Sequence, residues 1–266
     1  MTGAVEVRQG DGPVILGFPH GGVLVPPEIE ARLDGNGLLR ADTDWHIGRL
    51  YAGLLPGASE VHATFHRYVI DANRDPSGVS LYPGQNTTGL CPLTDFDGKP
   101  IWKDGAEPSP VDISDRVAKF HHIYHAALER EIERVKARHG VALVYDCHSI
   151  RSRIPFLFEG ELPALNIGTD NGLTCAPEIE RAVHEIAGTS PFTTVLNGRF
   201  RGGWTTRHYG KPGKGVHAIQ MEIAQSAYLE SEAPPWTYSE AKAAHLRRTL
   251  KHILEAIADK ALELNP

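Results

Sequence analysis

Cysteine is scarce in this chain. Three residues in 266, Cys91, Cys147 and Cys175, are odd in number, far apart and without CxxC spacing. That excludes a disulfide scaffold and a paired-cysteine metal site, and it is the usage of a reduced cytosolic protein. No apolar run approaches the length of a membrane span. The opening MTGAVEVRQGDGP has no basic segment followed by an apolar stretch, so no secretory signal is expected and the protein reads as cytoplasmic. Basic residues are outnumbered, 27 Lys and Arg against 33 Asp and Glu, for a formal charge of −6. This argues against nucleic acid or an anionic membrane surface as the main partner. A nucleophile elbow, GxSxG, and a phosphate loop, GxxxxGK[ST], are both missing. Disorder is excluded as well, because 41% hydrophobic and 23% charged residues is ordinary globular usage.

What is present is an alternation of strand and helix signals with no internal repeat. Val14 to Phe18 is a short apolar run ending at Pro19-His20-Gly21-Gly22. Asp42-Thr43-Asp44 precedes Trp45, Ile47, Leu50, Tyr51 and Leu54 and predicts a capped amphipathic helix. Val61 to Ile70 reads as a strand, and the Gly, Pro, Thr and Asp-rich stretch from Ser77 to Pro110 as a long functional loop. The clearest helix opens at Ser114 and stops at Gly140. Further strands are expected at Val141 to Tyr145, Leu165 to Gly168 and Val216 to Ile223, with helices at Pro177 to Ile186 and Tyr238 to Leu264. Fully apolar strands separated by helices predict an α/β fold: one domain over residues 1–266, with a mixed, mostly parallel sheet flanked by helices.

Polar residues fall at the carboxyl ends of the predicted strands, where open α/β sheets bind their ligands. His20 follows the first strand, Asn73-Arg74 the next and His148 the strand after the long helix, while Glu222 lies at the end of another. Most of the fourteen histidines must be ordinary surface or core residues. His148 differs because Asp146 adjoins it, and a neighbouring carboxylate can orient an imidazole as a metal ligand. His20 sits between Pro and two glycines, where backbone can approach a ligand closely. Asp42 reads as a helix cap, whereas Asp44 can turn its carboxylate to a metal. Two histidines and a carboxylate with an open position form a catalytic zinc set. His121 and His125, in HHIYH, lack the Glu of HExxH and read as a helix face carrying neutral histidines. Cys147 reads as a buried structural thiol. Arg74, Arg151, Arg199, Arg201 and Arg207 all fall in loops, and together they suggest a pocket for carboxylates.

Taken in order, PHGG, DTDWHIGRLY, HRYVIDANRDP, TTGLCP, YDCHSIRSRIP, LNGRFRGGWTTRHYG and GVHAIQMEIAQ resemble the N-formylglutamate amidohydrolase family, from about Pro13 to the last helix. The resemblance implies a zinc-carboxypeptidase-like fold. It implies His20 and His148 as metal ligands, Asn73 and Arg74 as the substrate-carboxylate pair, and Glu222 as general base. Related enzymes carry an acidic ligand three residues after the first His; here that position is Val23, so Asp44 is assigned to the role, with His46 and Glu28 as alternatives. The expected cofactor is Zn²⁺ or another divalent ion. Catalysis is expected from Glu222 and Arg74, and substrate binding from Asn73, Arg74, Arg151, Arg201 and Arg207. The implied reaction is metal-assisted hydrolysis of N-formyl-L-glutamate to formate and L-glutamate, a step of histidine degradation. A carboxypeptidase, another N-acyl-amino-acid amidohydrolase, or a non-catalytic binder of an acidic metabolite are the competing readings.

Overall fold

The computed structural model describes residues 3–80 and 84–264, so Leu81 to Pro83 of the expected long loop lie outside the described residues. The strands are β1 Val5–Arg8, β2 Val14–Phe18, β3 Ser59–Ala63, β4 Ala142–Ile150, β5 Leu165–Gly168, β6 Thr194–Leu196 and β7 Val216–Ala224. They form one sheet of order β1-β3-β2-β4-β7-β5-β6. Its three central strands, β2, β4 and β7, are mutually parallel, and antiparallel pairs occur at β1–β3 and β5–β7. The helices are α1 Pro27–Glu30, α2 Gly35–Leu39, α3 Ile47–Tyr51, α4 Pro110–Arg116, α5 His122–His139, α6 Pro177–Thr189, α7 Trp204–Tyr209 and α8 Glu240–Glu263. Among the described residues no helix is long and apolar enough to cross a membrane.

Side chains alternate across a strand, so each central strand feeds two layers. Leu143, Tyr145 and Cys147 of β4 and Ile219, Met221 and Ile223 of β7 pack with α3, α6 and α8 in one core. Ala142 and Val144 of β4 and Ala218 of β7 pack with α5 in the other. Continuing the second set along the strands gives Asp146 and His148 on β4, and Gln220 and Glu222 on β7. The face that is apolar at the amino ends therefore becomes polar at the carboxyl ends. That switch places the site.

Several elements depart from the sequence pattern for identifiable reasons. The strand expected to run to Ile70 ends at Ala63. Beyond it the chain turns, with Val69 N–H donating to the His66 carbonyl, and Phe65, Tyr68, Val69 and Ile70 are buried in the α5-side core. Their apolar character reflects burial, not strand pairing. Neither Asp42 nor Asp44 caps α3, which starts after His46 in a left-handed conformation, φ 61°. Asp42 instead accepts from the Tyr68 hydroxyl and the Phe96 N–H, each at 2.9 Å. The long helical segment opens earlier than Ser114, at a capping box in which Ser109 and Asp112 exchange hydrogen bonds. It then passes through a π-helical turn, Val117–His121, before α5. The loop from Asn197 to Lys214 contains α7.

Candidate active site

His20 and His148 arrive from the ends of β2 and β4, and Asp44 from the turn before α3. All three are buried. His20 Nδ1 lies 3.1 Å from His148 Nδ1. Asp44 Oδ2 lies 3.3 Å from His148 Nδ1 and 4.0 Å from His20 Nδ1. The far nitrogen of each ring faces an acid: His20 Nε2 is 2.6 Å from Asp71 Oδ1, and His148 Nε2 is 3.1 Å from Asp146 Oδ2. Carboxylates only accept, so each neutral ring carries its proton on Nε2 and turns the Nδ1 lone pair inward. Two lone pairs and a carboxylate oxygen thus converge on one point, an arrangement that repels itself unless a cation is shared. Among the described residues, His20, Asp44 and His148 are the histidine and carboxylate group whose ligand atoms, all within 4.8 Å of one another, could hold a metal ion. His46 and Glu28 are not in that group: His46 Nε2 is 3.0 Å from the Trp236 carbonyl, and Glu28 is exposed on α1.

The electrostatics support the same reading. Burial and the Arg67 guanidinium push the His20 pKa down to about 4. Burial would lower His148 too, but Asp146 and Asp44 outweigh it and hold its pKa well above the ordinary value. Four buried carboxylates, Asp44, Asp71, Asp146 and Glu222, face one fully buried guanidinium, Arg67. A divalent cation would offset part of that excess.

Glu222 pairs in register with His148 on the neighbouring strand and lines the same cavity. Burial raises its pKa to about 8, against the opposing influence of His148. Its Oε2 accepts from Gln220 Nε2 at 3.2 Å. The cavity wall also includes Arg67, Arg74 and Arg199, with Phe96, Ile150, Leu157 and Phe200 as its apolar part. Arg74 donates to the Thr88 carbonyl and hydroxyl and to the Asn73 carbonyl. Arg199 donates to the carbonyls of Leu157 and Asn86.

Asn73 lies in the cavity wall, but its amide is used within the site. Its Oδ1 accepts from Thr205 N–H at 2.8 Å, and its Nδ2 lies 2.9 Å from His148 Nε2 and 3.3 Å from Asp146 Oδ2. Gly203 permits this contact, since a Cβ there would meet Asn73 Nδ2 at 2.3 Å. Three arginines expected at the substrate are not among the described residues lining the cavity. Arg151 pairs with Asp97 at 3.2 Å, Arg207 pairs with Asp170 at 3.4 Å, and Arg201 is exposed. Cys147 is buried on the opposite face of β4, its thiol pKa raised well above normal by burial, which leaves it a packing residue.

Arg67 and Asp71 were not singled out by the sequence. Arg67 donates to Asp71 Oδ2 at 2.8 Å, stacks over the Phe96 ring at 4.8 Å, and lies 3.9 Å from Asp44. Burial would raise the Asp71 pKa, but Arg74, His20 and Arg67 hold it well below the carboxylate range. The signal for this pair was in the sequence: an Arg inside the apolar run that ends at Ile70, and an Asp four residues later, directly after it.

A family model described as N-formylglutamate amidohydrolase matches residues 12–229. A curated N-formylglutamate deformylase from Pseudomonas putida is 42% identical over 97% of this chain and 96% of its own length. One from Pseudomonas aeruginosa is 40% identical over 97% of each chain. The crystal structure of an N-formylglutamate amidohydrolase from Ralstonia eutropha JMP134 superposes with a TM-score of 0.80 at 24% identity, covering 98% of both chains.

Proposed function

The chain belongs to the N-formylglutamate amidohydrolase family, and from that premise we propose that it hydrolyses N-formyl-L-glutamate to formate and L-glutamate with a divalent metal, zinc, held by His20, Asp44 and His148. The observation that carries the chemistry is the convergence of two imidazole lone pairs and a carboxylate oxygen beside the buried Glu222. When bound, the ion supplies Lewis acidity, acidifying water and polarising a carbonyl.

The chain's own residues do the rest. Asp71 and Asp146 fix the tautomer and direction of the two histidines. Glu222 takes the proton of the attacking water and returns it to the departing amine nitrogen. Burial raises its proton affinity above that of an ordinary carboxylate, and a neighbouring cation would bring it back toward the range of a general base. Arg74 stabilises the tetrahedral oxyanion. With Arg199 it also receives the two carboxylates of the substrate, since both reach the cavity wall where Arg151, Arg201 and Arg207 do not. Asn73 Nδ2 donates to Asp146, the carboxylate that faces His148, and so supports the histidine indirectly instead of meeting a substrate carboxylate. Phe96, Leu157 and Phe200 provide the apolar wall that keeps these charges poorly hydrated.

Residues 1–266 would then form one cytoplasmic domain acting on a small dianionic intermediate of histidine degradation, without nucleic acid or membrane as partner. The reading is tested with a panel of N-formyl, N-acetyl and N-succinyl amino acids and a C-terminal peptide substrate. Formate release from N-formyl-L-glutamate far above every other turnover supports it. Preferred cleavage of a bulkier acyl group or of a peptide bond transfers the site to another N-acyl amidohydrolase or a carboxypeptidase.

A further inference from the structure

His121 and His125 are buried side chains that the reaction does not use. Their partners lie on one short irregular segment. His125 Nε2 is 2.7 Å from the Ala72 carbonyl, and His121 Nε2 is 3.0 Å from the Arg74 carbonyl. One turn earlier, Arg116 Nη1 donates to the Val69 carbonyl at 3.0 Å. The α4–α5 face therefore grips the backbone at 69, 72 and 74. The segment they span, 69 to 74, carries Asp71, Asn73 and Arg74.

The π-helical turn is what brings the three donors into line. In an uninterrupted α-helix, residues five apart such as Arg116 and His121 are offset by roughly 140°. The wider turn at Val117–His121 removes much of that offset. Burial keeps both imidazoles neutral by lowering their pKa values. A backbone carbonyl only accepts, so in each ring Nε2 carries the proton. His125 Nδ1 is then the acceptor for the Tyr209 hydroxyl at 2.9 Å. Trp204 packs on both rings, 5.4 Å from His121 and 4.5 Å from His125, and Thr205 beside it donates to Asn73 Oδ1.

We propose that His121 and His125 are positioning residues: by donating to the carbonyls on either side of Asn73, they hold Asn73 and Arg74 in the conformation that serves His148 and the substrate. The inference rests on the functional reading only for its kinetic arm.

The test compares His121→Leu and His125→Leu with His121→Gln and His125→Gln, because the Gln amide can replace the lost N–H donor and Leu cannot. Steady-state kinetics with N-formyl-L-glutamate, bound-metal content and amide exchange of residues 69–76 are measured on each. The expected result is KM on the order of tenfold higher in the Leu variants, with kcat falling as well because Arg74 also serves the oxyanion, and metal content nearly unchanged. Faster exchange at Asp71, Asn73 and Arg74 should accompany it, and the Gln variants should recover toward wild type in both readouts. Leu variants with wild-type KM and exchange, or Gln variants as impaired as Leu, overturn the proposal and leave the pair a packing role. Wild-type protein that releases no formate overturns the substrate reading alone, and the exchange comparison then decides the positioning role.

Discussion

Glu222 and His148 stand side by side on parallel strands, and the chemistry assigned to each gives a separate signature. Glu222→Gln keeps the size and a hydrogen-bonding group but removes the base. Turnover should fall on the order of 10²–10⁴-fold with metal content unchanged, and near-normal turnover would remove Glu222 from the mechanism. Asp71→Asn acts indirectly, by loosening the orientation of His20. Metal affinity, measured by competition with a chromophoric chelator, should weaken by about 10–100-fold. An unchanged affinity would reduce Asp71 to a partner of Arg67. The histidines and Glu222 were legible from strand ends and from family motifs. The carboxylates behind the histidines were only half legible. Asp146 stands two residues before His148, whereas Asp71 meets His20 across 51 positions of sequence, a contact that only the folded chain reveals.

At the scale of elements, apolar periodicity located the central strands and the long helices, because burial on a regular element repeats. It missed the edge strands β1 and β6, which are short and partly exposed, and it read the 64–70 turn as strand because buried turn residues are also apolar. Nothing in the residue pattern announced the π turn that aligns Arg116 with His121. Glu131 explains another oddity, an acid on the apolar stripe of α5. It is 2% exposed and accepts from Arg134 and from Gln9. Burial alone would raise its pKa, yet Arg134 and its other donors hold it below the ordinary Glu value. A depressed folded pKa means stabilisation that is present above the unfolded value and lost as pH falls through the folded one. Glu131→Gln should therefore cost about 1.5–3 kcal/mol near pH 7, with the gap to wild type closing below pH ~4. Urea titrations at several pH values check this, and a gap independent of pH would show that charge is not involved. Leu250→Ala, in the α8 layer and fully buried, should cost about 2–5 kcal/mol by the same measurement while leaving KM unchanged. A loss below ~1 kcal/mol would mean that this layer relaxes to fill the gap.

Over the whole molecule, the charge of −6 sets an apparent conflict with an anionic substrate. The cavity resolves it locally. Arg67, Arg74 and Arg199 line it, and the proposed divalent ion would add positive charge against the four buried carboxylates. The account as a whole requires that cation, because without it the inward-facing lone pairs of His20 and His148 have only a proton to share. The decisive measurement is formate release from N-formyl-L-glutamate by protein as purified, after dipicolinate treatment, and after readdition of Zn²⁺, with bound metal quantified in each sample. Activity should vanish with the metal and return in proportion to it, approaching one ion per chain. Full activity in protein free of bound cation would contradict the account.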